Sequence, residues 1–104
     1  MKIHTDITEF TANKAWGARD IAEIEGATVR LHWTDEPYIW HENDGVEVFV
    51  VLDGAVDMHY MDKAEEKIIR LNPNDIFVAD IGDKHVAKPV GTARILVIEK
   101  NGSI

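Results

Sequence analysis

Residues 40–54 read WHENDGVEVFVVLDG. From Glu47 the segment is a strand, apolar on both faces, that closes on the turn signal Asp53-Gly54. A carboxylate heads this apolar run, six residues after His41. Either Glu47 sits at an exposed strand end, paired with His41 on a rim, or it points inward. It shares a strand face with Phe49 and Val51, so an inward Glu47 needs a charge partner.

Working outward, the period is two almost everywhere after Gly17. Residues 20–24 lead to a turn at Glu25-Gly26, and ATVRLHWT follows. There Val29, Leu31 and Trp33 form one face, expected to point to the core. Thr28, Arg30 and His32 form the other, expected to face solvent. AVDMHY alternates in the same way and places His59 outward. KIIRL, DIFVAD, HVAKPV and ARILVIEK complete about eight short strands on the pattern rules. Asn72-Pro73-Asn74-Asp75 reads as a turn, with Pro73 preset for its second position. Turn signals recur at the spacing of antiparallel sandwiches and barrels, and no helices lie between strands to make parallel crossovers. The one helical pattern covers residues 6–16, where Ile3, Ile7 and Phe10 fall at helical spacing and Asp6 with Glu9 resembles a capping pair. The expectation is an all-β, antiparallel fold in one domain, residues 1–104, with a short N-terminal helix.

Bulk properties narrow the function. Apolar residues at 45% mark a globular chain, and no apolar run is long enough to span a bilayer. A net charge of −8 disfavours nucleic acid as a partner. The N-terminus has no signal-peptide pattern and there are no cysteines, which fits a cytoplasmic protein. Without thiolates, candidate ligands are His, Asp and Glu. His41, Glu47 and His85 combine two imidazoles and one carboxylate. That set binds Fe, Mn, Ni, Co or Zn and leaves positions open. On spacing alone, surface roles for these residues stay open.

The chain resembles the cupin superfamily of small β-barrels, in the single-domain "cupin 2" type. The first family motif is Gly, five residues, His-x-His, three or four residues, Glu, six residues, Gly. Here it reads His41-x-Asn43, three residues, Glu47, six residues, Gly54, with Asp35 at the first Gly. The second is Gly, five residues, Pro-x-Gly, two residues, His, three residues, Asn. Here it reads Asn74, five residues, Asp80-x-Gly82, two residues, His85, three residues, Pro89.

The resemblance implies a double-stranded β-helix, or jelly-roll barrel, and metal ligands at His41, Glu47 and His85. Asn43 stands where the family has a second histidine, either as a weaker ligand or as a residue that orients one. Asn74 in place of Gly suits the positive φ of a type II turn. Trp33, Tyr38, Trp40, Met58 and Phe77 are the expected liners of a site for a small polar ligand. Oxygenase and isomerase reactions both occur in the family, and a homodimer is common there. The alternative is a non-catalytic binding or sensing cupin whose metal site is weakened or lost.

Overall fold

The structure, a computed structural model, describes residues 1–103, which are almost wholly antiparallel β-sheet. Six strands form it: β1 (Gly17–Ile24), β2 (Ala27–Thr34), β3 (Glu47–Asp62), β4 (Glu65–Leu71), β5 (Ile76–Ala79) and β6 (His85–Lys100). The order is β1-β2-β6-β3-β4, with β5 paired to β3 off that path. Among the described residues no helix is long and apolar enough to cross a membrane.

Strands β3 and β6 carry the architecture. Each has 16 residues, and they pair from Val48↔Ile98 to Tyr60↔His85. Each merges two of the short strands expected from the sequence, so six strands replace about eight. Asp53-Gly54 is a bend within a strand, not a chain reversal. The register slips between Val51 and Asp53 and again between Gly54 and Val56, which bends and twists the ribbon. Gly54 has φ +77, and a Cβ there would lie 2.2 Å from the Thr92 carbonyl oxygen. Only glycine lets β3 pass β6 so closely. The turn at residues 72–75 is as expected: Asn74 has φ 79, and Asp75 N donates to Asn72 O at 2.9 Å.

The helix expected over residues 6–16 is instead one 3-10 turn, Ile7–Glu9, without a side-chain cap. Asp6 does not cap it because its carboxylate accepts two hydrogen bonds from Arg19, at 2.8 and 2.9 Å. Arg19 also lies over the Phe10 ring, and Arg94 Nε donates to the Phe10 carbonyl at 2.7 Å. Sheet side chains, not helical hydrogen bonds, fix this segment. Trp16, at φ 62, has left helical geometry altogether.

One face assignment is reversed. Residues opposite each other in an antiparallel pair share a face. His32 and Val51 both lie opposite Ile95, and Arg30 and Phe49 both lie opposite Val97. Phe49, Val51, Ile95 and Val97 belong to the hydrophobic core, so His32 and Arg30 are on the interior side. Val29, Leu31 and Trp33 are on the outer side. Leu31 is nevertheless fully buried there. Arg19, opposite Leu31, and Arg94, opposite Trp33, hold the N-terminal segment against that face. An outer face that is itself covered takes apolar residues, so polarity alone misplaces the inside.

Candidate metal centre

His41 lies in the connection between β2 and β3. It reaches the site through a pair of backbone hydrogen bonds with His85, His41 N to His85 O at 3.1 Å and His85 N to His41 O at 3.0 Å. This bridge brings the two imidazole centroids to 4.4 Å. Glu47 is the first residue of β3, opposite Ala79, and it points inward with Phe49 and Val51. His85 opens β6, opposite Tyr60. The turn before it is closed by Asp83 N to Asp80 O at 3.1 Å and by Asp80 N to Asp83 Oδ2 at 2.9 Å, with Gly82 at φ 86. Gly82 N also donates to Asn43 O, which ties the turn to the 41–47 segment.

One ligating atom from each of His41, Glu47 and His85 lies within 4.8 Å of the others. Both histidines direct Nδ1 at a backbone carbonyl, Ile39 O at 2.9 Å for His41 and Asp83 O at 2.8 Å for His85. A carbonyl only accepts, so each Nδ1 carries the hydrogen and each Nε2 is turned to the cluster. Metal-binding imidazoles are oriented in this way. Glu47 is 6% exposed, His85 2% and Asn43 4%. Asn43 Nδ2 donates to Glu47 Oε1 at 2.9 Å, while its own Oδ1 is buried without a partner. The amide therefore grips the carboxylate. Glu47 Oε1 is also 2.9 Å from His85 Nε2. Burial pulls the His85 pKa down, but the hydrogen bond to Glu47, the Asp83 carbonyl and the Glu47 charge outweigh it and raise it above its ordinary value.

A cavity of about 110 Å³ adjoins the cluster, smaller than most ligand pockets. His41, Glu47 and His85 line one part of it, and Trp16, His32, Tyr38 and Glu99 line much of the rest. The rings are in edge contact, Trp16 to Tyr38 at 5.2 Å and Tyr38 to His41 at 5.1 Å between centroids. Burial lowers the His32 pKa and raises that of Tyr38. Burial and the Glu47 charge push Glu99 up to about 7, against the pull of Arg30 and His85.

Of the five expected liners, only Tyr38 is on this cavity. Trp40 lines a separate, larger hollow of about 510 Å³ with His41, Met61 and Lys84. Phe77 stands behind His85, ring centroids 5.8 Å apart, and packs on the core. Met58 is fully buried in the core, and Trp33 is on the outer face. Sequence reasoning missed Trp16 and Glu99, and set His32 facing solvent. A signal existed for Glu99: Ile95, Val97 and Glu99 alternate along β6, so an inward Ile95 implies an inward Glu99. None existed for Trp16, placed by a non-helical backbone, or for His32, whose strand is covered on both sides.

No protein-family model and no curated protein matches the sequence. Solved structures do match. The chain is similar to a cupin-2 domain protein from Shewanella frigidimarina, at 27% identity over 86% of this chain and 85% of that one, TM-score 0.76. It is similar to a cupin protein from Desulfovibrio desulfuricans, at 19% identity over 96% of each chain, TM-score 0.76. It also matches a hydroquinone 1,2-dioxygenase in complex with Fe3+, at 15% identity over 86% of this chain but 29% of that one, TM-score 0.76. The last two share the fold at identities too low to carry more. The chain has the cupin fold, a double-stranded β-helix, with two histidines and a carboxylate brought together inside it.

Proposed function

We propose that this protein is a metal-binding cupin. His41, Glu47 and His85 hold a divalent transition metal, one of Fe, Mn, Ni, Co or Zn, beside a cavity that takes a small polar molecule. The observation that carries this reading is the convergence of three ligating atoms within 4.8 Å, with Nδ1 of both imidazoles held on a backbone carbonyl so that each Nε2 faces the cluster. Two neutral nitrogens and one anionic oxygen suit these metals.

Each residue then has a stated task. The Ile39 and Asp83 carbonyls orient the two imidazoles. Asn43 orients Glu47 through its amide hydrogen. Trp16 and Tyr38 wall the cavity and limit water. A bound ion would supply Lewis acidity toward an oxygen of the cavity's ligand. Oxygenase-type and isomerase-type reactions both fit this donor set, and the fold does not choose between them. A homodimer is part of the reading: Ile76 and Val78 alternate on the exposed face of β5, and Ile68 is exposed on β4. Light scattering tests it, and a monomer at all concentrations would remove it.

Elemental analysis of untagged protein tests the metal. The expectation is close to one ion per chain after reconstitution, and almost none in His85→Ala. Metal far below one per chain in both would overturn it. One observation favours a second reading, a cupin that binds its ligand without metal: the Glu47–His85 pair satisfies both groups by itself. A thermal shift by small organic molecules in metal-stripped protein would support that alternative.

A further inference from the structure

One acid on the cavity has no task in the metal reading. Glu99 lines the same small space as His41, Glu47 and His85. Among the described residues its carboxyl makes no ion pair and no hydrogen bond. The one side-chain bond that reaches Glu99, from Thr28 Oγ1, ends on its backbone carbonyl. A half-buried carboxyl without a partner is costly unless something else supplies one. The lining holds two carboxylates and neither lysine nor arginine. Arg30, on the same face of β2, is exposed and paired with Asp20 at 2.9 Å.

We infer that Glu99 sets what the cavity accepts: a small, uncharged, polar molecule that hydrogen-bonds its carboxyl, with carboxylates and other small anions rejected. The inference rests on the cavity being the ligand site of the function proposed above. The charges decide the sign. Ionised Glu47 and Glu99 together offset the two positive charges of a divalent ion. With Glu99 in that balance, an entering anion meets no net attraction from the centre. An uncharged amide or alcohol gives Glu99 the hydrogen bond it lacks. In metal-free protein, with its pKa raised to about 7 by burial and the Glu47 charge, the carboxyl serves as acceptor or donor around neutrality.

Acetamide and acetate, nearly equal in shape, are the probes. Each is titrated into wild type and Glu99→Gln, in Co(II)-loaded and metal-free forms, at a pH of about 8.5, where Glu99 is ionised. The Trp16 indole resonance is the readout. Glu99→Gln keeps the shape and removes a buried charge, so the fold is not at risk. In wild type, acetamide should bind at least about ten-fold more tightly than acetate, and Glu99→Gln should bring the two within a few-fold. Equal binding of the probes by wild type, an unchanged ratio in Glu99→Gln, or no response to either would overturn the inference. Cobalt content, measured on the same samples, separates the two readings. Failure to take up cobalt counts against the metal alone, because the acetamide-to-acetate ratio in metal-free protein still decides the role of Glu99.

Discussion

His85 Nε2 stands 2.9 Å from Glu47 Oε1, across 38 residues of sequence, in a pair almost closed to solvent. The contact joins the first residues of β3 and β6, the two strands on which the sheet is built. Removing one partner of such a pair leaves a buried charge uncompensated. His85→Ala should therefore destabilise metal-free protein by about 3–5 kcal/mol. Lys67→Ala, which breaks the solvent-exposed pair with Asp62, should change stability far less. Urea unfolding of the two variants checks this, and equal losses would contradict it.

The pH dependence follows from two raised groups. His85 lies above its ordinary 6.5, so its pair contributes fully below pH 6.5 and is lost as pH rises through the raised value. Glu99, about 7 against an ordinary 4.5, holds a proton in the folded chain where the unfolded chain has released it. Its contribution therefore falls between pH 4.5 and 7. The Tm of metal-free Glu99→Gln relative to wild type should rise across that window and then level, gaining a few degrees. A constant difference would contradict the placement of Glu99.

Asn43 holds Glu47 by its amide, so its loss should act on the metal through the carboxylate. Asn43→Ala should weaken Co(II) or Zn(II) binding by about 10–100-fold. Asn43→His would add an imidazole where the family motif has one, and should bind more tightly than Asn43→Ala. Competitive chelator titration measures both. Wild-type affinity in Asn43→Ala would remove Asn43 from the site.

Gly54 and Gly91 both have positive φ, +77 and +71, but only Gly54 is crowded. Gly91→Ala should cost about 1–2 kcal/mol from backbone strain alone. Gly54→Ala adds a Cβ 2.2 Å from the Thr92 carbonyl oxygen and should exceed that clearly, or fail to fold. Denaturant midpoints of the two variants, compared directly, decide it.

Strand period and turn residues were legible because each is a local property of the chain. The Asn72–Asp75 turn followed from Pro73 and a residue tolerant of positive φ. The cluster followed from the resemblance of the two motifs to the family's, while the backbone bridge that joins His41 to His85 had no signal in their spacing. What escaped was set by tertiary cover. The N-terminal segment turns the outer face of β2 into a buried one, so polarity alone puts Trp33 inside in place of His32. Asp53-Gly54 looked like a reversal because a bend within a strand and a turn use the same residues. The helix over residues 6–16 failed because Arg19 claims Asp6.

X-ray absorption at the edge of the metal bound to reconstituted protein tests the central claim most directly. Two imidazole nitrogens are expected at about 2.0–2.2 Å with oxygen donors completing the shell, and one imidazole is lost in His85→Ala. A shell of oxygen alone, or one unchanged in His85→Ala, would contradict it.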